Sequence, residues 1–148
     1  MSLSNIFDIS ASGMSAQSIR LNTISSNIAN AETVSSSVEE TYRSRQPVFS
    51  VIHRDLFNSG FGMVSDPIKS SAGQGVEVKG IVESDANLPR RYEPHHPMAD
   101  EEGYVTYPNV NIVEEMANMI SSSRSFQSNV DVMEAAKSMM DRVLTIGQ

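Results

Sequence analysis

Hydrophobic residues recur at an interval of seven along the N-terminal part of the chain. A second row lies three residues further on, polar at its first two positions and apolar at its last two. Two rows spaced in this way share one side of an α-helix, so the pattern predicts a long helix with a heptad repeat. The first row is Phe7, Met14, Leu21 and Ile28, and the second is Ser10, Gln17, Ile24 and Ala31.

This predicted helix is rich in Ser, Asn and Thr, which have mediocre helix propensity. Between Ser4 and Ala31 there is no proline and a single glycine, Gly13, but there are almost no pairs of opposite charge that would support an isolated helix. We therefore expect its stability to depend on packing against other helices.

The C-terminal part has the same period. Asn111 and Glu114 have the spacing of a capping box after Pro108, so a second helix is predicted to begin there, and Gly147 is a plausible terminator. The apolar row is Ile112, Met119, Phe126, Met133 and Met140, and the companion row is Met116, Ser123, Val130, Lys137 and Leu144.

Between the two helices the chain changes character. All six prolines lie between Pro47 and Pro108, and the glycine- and serine-rich stretch Asn58–Gly75 is predicted to be a loop. Short β-prone runs are Tyr42–Ile52, Val76–Ser84, Leu88–Tyr92 and Tyr104–Tyr107. The sequence thus predicts a mainly α fold with a small β part in three segments. They are an N-terminal helical segment (1–36), a middle β and loop segment (37–108) and a C-terminal helical segment (109–148).

Two arrangements of the helices are compatible with this pattern. In one, the helices of a single chain pack on each other and cover a small β-layer. In the other, several chains pack their helices together. Apolar residues such as Ile9, Ile19, Ile120 and Val143 lie outside the heptad rows, and apolar side chains on several faces favour several neighbours. Oligomeric helical assembly is therefore the preferred hypothesis.

Composition excludes several classes of function. The 148 residues carry a net charge of −7, which argues against a nucleic-acid partner. Cysteine is absent, so disulfides and thiolate metal sites are excluded. No apolar run approaches the roughly 18 residues of a membrane span, so we expect no membrane insertion. The N-terminal residues lack the pattern of a cleaved Sec signal, so any export is expected to use another route.

His95 and His96 are the best candidates for chemistry. They lie between Pro94 and Pro97 among acidic residues, so a small metal-binding or enzymatic domain centred on them remains an alternative. Their spacing matches no zinc template, and a polar turn is the preferred interpretation. There is no serine nucleophile motif or nucleotide-binding loop. We expect no catalysis, cofactor, metal or small-molecule substrate.

Longer stretches carry a family resemblance. SASGMSAQSIRLNTISSNIANAET (residues 10–33) closely resembles the signature of the bacterial flagellar axial proteins, the rod, hook and hook-associated proteins. YPNVNIVEEMANMISSSRSFQSNVDVMEAAKSMMDRVLTIG (107–147) is similar to the short proximal rod members of that family. GVEVKGIVES (75–84) and YEPHHPMADEEGYVTYPNVN (92–111) also resemble those members rather than the longer ones.

The resemblance implies a structural subunit of the proximal rod, the part of the flagellar basal body that crosses the periplasm. It implies export by the flagellar type III apparatus, and partners that are further copies and other basal-body proteins. The terminal helices would pack as an antiparallel coiled coil around the export channel, with the middle segment outside. The expected assembly contacts are Phe7, Met14, Leu21, Ile24, Asn27, Ile28, Asn30, Ile112, Met116, Met119, Phe126, Val130, Met133 and Met140.

Two asparagines near the end of the first helix have two possible roles. Asn27 and Asn30 could satisfy backbone groups where the chain leaves the helical layer, or they could cap the helix within one subunit. The sequence leaves these two possibilities open.

Overall fold

A computed structural model describes residues 3–52 and 74–146. Within these two ranges, two long helices flank four short strands. The elements are α1 (Leu3–Asn30), β1 (Arg45–Val51), β2 (Val76–Glu83), β3 (Arg90–Tyr92), β4 (Tyr104–Thr106) and α2 (Ile112–Ile146). The predicted pair of helices and the small β part between them are confirmed. Most of the predicted loop Asn58–Gly75, and the predicted terminator Gly147, lie outside the described residues.

The two helices pack side by side and run antiparallel. Asn27, near the end of α1, hydrogen-bonds to Glu115 in the first turns of α2. Gly13, two heptads earlier in α1, lies against Asn129 further along α2. Residue numbers that rise on one helix while falling on the other define an antiparallel pair. With 35 residues against 28, α2 is the longer helix.

Local hydrogen bonds set the helix ends. Asn111 caps α2, because its side-chain Oδ1 accepts a hydrogen bond from the Val113 N–H at 3.1 Å. At the other junction, the carbonyl of Asn30 accepts hydrogen bonds from the backbone N–H and the hydroxyl of Thr33, at 3.1 and 2.7 Å. The capping predicted at Asn111 is thus present, and Thr33 helps to end α1 by occupying a carbonyl that lacks a helical partner.

β1 and β2 form an antiparallel pair that packs against α1. Its register places Arg45 opposite Glu83, and the two side chains form an ion pair at 2.9 Å. At the start of β2, the strand pair is hydrogen-bonded to α1, because the Ser12 hydroxyl accepts a hydrogen bond from the Val76 N–H at 3.2 Å. Gly75 has φ of +150°, and a Cβ there would overlap the Ser12 hydroxyl. Close contact with the helix therefore requires glycine.

β3 and β4 form a second antiparallel pair, and Val105 in β4 is completely buried. The rings of Tyr92 and Tyr104 meet edge to face at 5.3 Å between centroids. Asp100 organises the connection, because its Oδ1 accepts hydrogen bonds from the backbone N–H groups of Glu102 and Tyr104, at 3.0 and 2.8 Å. These two donors hold the pKa of Asp100 below its ordinary value of 3.8, with the Tyr104 N–H contributing most and Arg90 adding to the effect.

The buried interior is small and largely polar. Among the described residues, the buried apolar side chains are Ala16, Ile24, Ala31, Val105, Pro108 and Ala136. The buried polar side chains are Ser10, Thr23, Asn27, Ser35, Thr41, Ser44, Thr106, Glu115 and Ser122. Small and polar residues hold the elements together at close range, and many large apolar side chains are left on the surface.

Candidate functional site

The first apolar row of α1 lies at the margin of the helix interface rather than at its centre. Phe7, Met14, Leu21 and Ile28 are all half-buried. In the second row, Ser10, Ile24 and Ala31 are buried and Gln17 is half-buried. Ala16, Thr23 and Asn27 are also buried, so the face of α1 that packs within the subunit is centred away from the larger apolar side chains.

The face of α2 that packs within the subunit also differs from the predicted one. The companion row is displaced by one residue, because the side chains turned toward α1 are Glu115, Ser122, Asn129 and Ala136. Four members of the predicted companion row are exposed, namely Met116, Ser123, Lys137 and Leu144, whereas Val130 is half-buried. Heptad spacing favours the apolar row, whereas small side chains allow the close approach of the two helices.

The apolar row of α2 divides along its length. Met119, Phe126 and Met133 are half-buried, while Ile112 and Met140 at the two ends are exposed. Outside this row, Val113, Ile120, Val132, Met139 and Val143 are exposed to between 48% and 77%. α2 therefore presents large apolar side chains that its own subunit leaves uncovered, as interaction surfaces commonly do.

Asn27 lies at the centre of a buried polar junction between α1, α2 and the start of β1. Its Nδ2 donates to Glu115 Oε1 at 2.9 Å and to the backbone oxygen of Arg45 at 2.8 Å. Its Oδ1 accepts hydrogen bonds from the Arg45 N–H at 3.0 Å and from the Tyr42 hydroxyl at 2.9 Å. With only 1% of its surface exposed, this amide uses both hydrogens and both lone pairs of its oxygen.

Asn27 and Asn30 therefore play different roles. Asn27 satisfies backbone groups of the segment that enters β1 in the same chain, so it does more than cap its own helix. Asn30 donates to the carbonyl of Ser26, one turn earlier in α1, at 2.8 Å, so its side chain bonds within its own helix. The two asparagines are only three residues apart, but one of them joins three elements and the other serves one.

Neighbouring residues extend this junction. Asn109 accepts a hydrogen bond from the Ser44 N–H at 2.7 Å and donates to the carbonyls of Ser84 and Ala86, at 3.3 and 3.1 Å. It thereby holds the ends of β1 and β2 next to the start of α2. Next to the junction, a groove of about 350 Å³ is lined by Arg20, Ile24, Arg45, Gln46, Pro47, Phe49, Glu115 and Asn118. Arg20 reaches across it to Asn118 at 3.5 Å.

Gln17, one of the polar heptad positions, contributes an unusual feature. Its Oε1 is buried and has no hydrogen-bond partner among the described residues. An unsatisfied acceptor of this kind weakens a helix interface, because the oxygen has lost its contact with water. The polar character of the second heptad row therefore carries a cost at this position.

The two histidines lie in the turns between β3 and β4. His96 uses its Nδ1 to accept a hydrogen bond from the Met98 N–H at 3.1 Å, so it stabilises the turn that contains it. Within residues 3–52 and 74–146 there is no group of three or more His, Asp or Glu side chains able to hold a metal ion. This finding does not favour the metal-binding alternative.

Comparison with known proteins matches both helical ends of the chain. A family model described as "Flagella basal body rod protein" matches residues 7–34, and one described as "Flagellar basal body rod FlgEFG protein C-terminal" matches residues 101–146. The flagellar basal-body rod protein FlgC of Salmonella typhimurium is 44% identical over 148 residues, which cover the whole of both chains. The chain belongs to the FlgC family of flagellar basal-body rod proteins.

Further relatives match the chain over its full length. FlgC of Escherichia coli O157:H7 is 45% identical over the whole of both chains. FlgC of Borreliella burgdorferi is 36% identical over all of this chain and 99% of its own. The resemblance to the flagellar axial proteins is therefore confirmed, as is the closer similarity to the short rod members. The described part of this FlgC-family chain contains no helix long and apolar enough to cross a membrane.

The sequence singles out Asn27 as an expected assembly contact, but it does not single out the partners of Asn27 within the chain. Asn27 was among the expected contact residues, whereas Tyr42, Arg45 and Glu115 were not. A carboxylate in the first turns of a helix is in an ordinary position, so local sequence does not mark Glu115 as a buried contact. One signal could have identified it: Glu115, Ser122, Asn129 and Ala136 are small or polar residues spaced by seven along α2.

Proposed function

We propose that this chain is a structural subunit of the flagellar basal-body rod and polymerises with further copies and other rod proteins. The observation that carries the proposal is the identity of 44% with a FlgC protein over the full length of both chains. The two matched family regions, 7–34 and 101–146, coincide with most of α1 and α2, so the similarity is found in the elements that would form the shaft.

The proposed assembly uses the three segments differently. The helical segments 1–36 and 109–148 pack as an antiparallel coiled coil in an inner layer around the export channel, and segment 37–108 packs outside it. Large exposed apolar residues on α2, including Val113 and Ile120, support this arrangement. Covering them with neighbouring helices removes apolar surface from water and so stabilises the assembly. The half-buried row of α1, with Leu21 near its middle, supplies the other side of such contacts.

In this proposal the chain transmits torque and has no catalytic role. It is exported by the flagellar type III apparatus and assembles in the part of the basal body that crosses the periplasm. A shaft built from closely packed helices is stiff because protein interiors are packed as densely as organic crystals. A heterologous contact that does not close into a ring produces the required helical polymer.

Deletion and complementation of the gene provide the direct test. A strain without the gene is expected to be non-motile, and its purified basal bodies should lack a rod in electron micrographs. The full-length gene should restore both, and the chain should co-purify with the basal bodies in an immunoblot. Normal rods in the deletion strain would refute the assignment.

The alternative centred on the histidine pair has its own test. We expect the double variant His95→Ala, His96→Ala to remain motile within a few-fold of the parent, because His96 stabilises only the local turn. The purified parent and variant should contain equal amounts of metal. Loss of motility together with loss of a stoichiometric metal would favour the alternative.

A further inference from the structure

The helix interface contains two contacts that fit one register and no other. Asn27 hydrogen-bonds to Glu115, and Gly13 packs against Asn129. From Gly13 to Asn27 is fourteen residues, and from Glu115 to Asn129 is also fourteen, so the two contacts are two heptads apart on both helices. They lie on the same facing rows, and a slip of the helices by one heptad would break both.

The apolar rows do not distinguish these registers. Phe7, Met14, Leu21 and Ile28 are spaced by seven, as are Met119, Phe126 and Met133. A slip of seven residues therefore brings apolar residues opposite apolar residues again, with similar burial. Interfaces of this kind leave the register poorly specified unless a polar or steric contact selects one alignment.

The two specific contacts supply that selection by different means. Glu115 is only 7% exposed, and an alignment that moved it away from Asn27 would leave a buried carboxylate without this donor. At the other contact, a Cβ on residue 13 would lie 2.9 Å from the Nδ2 of Asn129. A one-heptad slip would place Asn129 opposite a residue with a side chain instead of opposite Gly13.

The middle segment holds Asn27 in place. The side-chain oxygen of Asn27 accepts hydrogen bonds from the Tyr42 hydroxyl and from the Arg45 N–H, and its side-chain nitrogen donates to the Arg45 carbonyl. With these groups satisfied, the amide presents one N–H to α2 and cannot turn to follow a displaced carboxylate. The contact with Glu115 is thus fixed relative to β1 as well as to α1.

We propose that Asn27 and Glu115, assisted by Gly13 and Asn129, form a register lock that selects one antiparallel alignment of α1 and α2 and fixes the middle segment to it. Buried polar pairs in helical interfaces can serve this purpose even where an apolar pair would be more stable. The lock concerns the fold of the single chain and is independent of the rod assignment.

Disulfide trapping tests the lock, because the natural chain has no cysteine. The Gly13→Cys, Asn129→Cys pair reports the observed alignment. Gly13→Cys combined with Ser122→Cys or with Ala136→Cys reports alignments displaced by one heptad in either direction. A displacement of seven residues moves the partner by roughly 10 Å along the helix, beyond the reach of a disulfide. Gly13→Cys is present in all three pairs, so none of them keeps the contact between Gly13 and Asn129. The experiment therefore measures the contribution of Asn27 and Glu115.

In the purified full-length chain, the 13–129 pair is expected to close ~10-fold faster than either displaced pair. Glu115→Leu should reduce this preference to about 2-fold while helical circular dichroism is retained, because an apolar residue can be buried in any of the alignments. Glu115→Gln keeps an acceptor oxygen and should preserve the preference. Glu114→Leu, on the exposed neighbour, is the matched control and should also preserve it.

Three results would overturn the proposal. The first is an unchanged preference in Glu115→Leu, which would mean that other contacts select the alignment. The second is equal closure of all three pairs with an intact Glu115. The third is loss of helical structure in Glu115→Leu with slow, equal closure of the pairs, since the contact would then maintain the fold without selecting a register.

Discussion

Asn27 shows how much of the structure depends on one side chain. Its four strong hydrogen bonds connect α1 to α2 and to the entry of β1, and the side chain that makes them is buried. A buried amide with every group satisfied costs little, but removing it leaves several partners unsatisfied at once. The contribution of this residue should therefore be much larger than that of a typical polar residue in a helix.

The first prediction compares two asparagines in the same turn. Asn27→Ala should lower the free energy of unfolding by about 3 kcal/mol, because it leaves the buried carboxylate of Glu115 and two backbone groups without partners. Asn30→Ala loses one hydrogen bond within the helix and should cost about 1 kcal/mol or less. Urea unfolding followed by circular dichroism measures both. Equal effects would contradict the importance given to the junction.

The second prediction concerns the ionisation of Asp100. Its lowered pKa means that the folded chain favours the carboxylate, so the associated stability is present above pH 3.8 and is lost as the pH falls through the lower folded value. In an NMR titration, the amide protons of Tyr104 and Glu102 should shift with a midpoint below 3.8. A midpoint above 3.8 would mean that the two backbone hydrogen bonds do not govern this group.

At the scale of the elements, the seam between α1 and α2 is formed by small and polar residues. Gly13, Ala16, Ser122 and Ala136 allow the backbones to come close together. Gly13 allows this close approach, but a glycine destabilises an isolated helix by about 1 kcal/mol relative to alanine. Glycine is favoured over alanine at this position only if the side chain of the facing Asn129 occupies the space next to it.

The third prediction tests that relation with a double-mutant cycle. In the Asn129→Ala background, Gly13→Ala should raise the free energy of unfolding by about 1 kcal/mol, the gain in helix propensity. In the parent the gain should be smaller, because the new Cβ would lie 2.9 Å from Asn129 Nδ2 and the amide would have to move. Urea unfolding of the four chains gives the coupling, and equal gains in both backgrounds would show that the two residues do not meet.

The elements themselves could be predicted from the sequence because their signals are local. Heptad spacing indicated both helices, Asn111 indicated the start of α2, and β-prone runs indicated β1 to β4. The face of each helix that packs inward could not be derived in this way. The pattern assigns apolar residues to the interior, whereas this interface buries Glu115 and Ser122 and exposes Met116.

The junction was only half predictable for a related reason. The contact between Asn27 and Glu115 joins residues 88 positions apart, and nothing in the neighbourhood of either residue specifies the other. A buried carboxylate is also the opposite of what hydropathy predicts. Glu115 has a partner distant in sequence and is buried despite its charge. The position of such a residue cannot be derived from the sequence pattern around it.

On the scale of the whole molecule, the distribution of apolar residues is inverted in α2. The interior of the chain is small, while Val113, Ile120, Val143 and Leu144 are each more than half exposed. A net charge of −7 opposes close association of copies, so contacts between subunits must overcome this repulsion through apolar burial. Substitutions of these exposed apolar residues should therefore impair assembly more than they lower the stability of the single chain.

The last prediction places a charge in the apolar row of α1. Leu21→Asp should abolish rod assembly while expression and export continue, because the half-buried leucine would be covered by neighbouring helices in the proposed rod. A carboxylate buried there without a partner costs several kcal/mol, and the cost recurs in every copy. Basal bodies examined for a rod, and immunoblots of the exported fraction, give the result.

The control for this variant must carry the same charge on an exposed position of the same helix. Ser12 is unsuitable, although heptad spacing alone places it on the outer side, because its hydroxyl accepts a hydrogen bond from Val76 and lies against Gly75. Ser18 is exposed and lies three residues before Leu21, so Ser18→Asp should assemble far better. Normal rods containing the Leu21→Asp chain would show that this row is not a packing face in the assembly, and the exposed side of α2 would then have to supply the contacts between subunits.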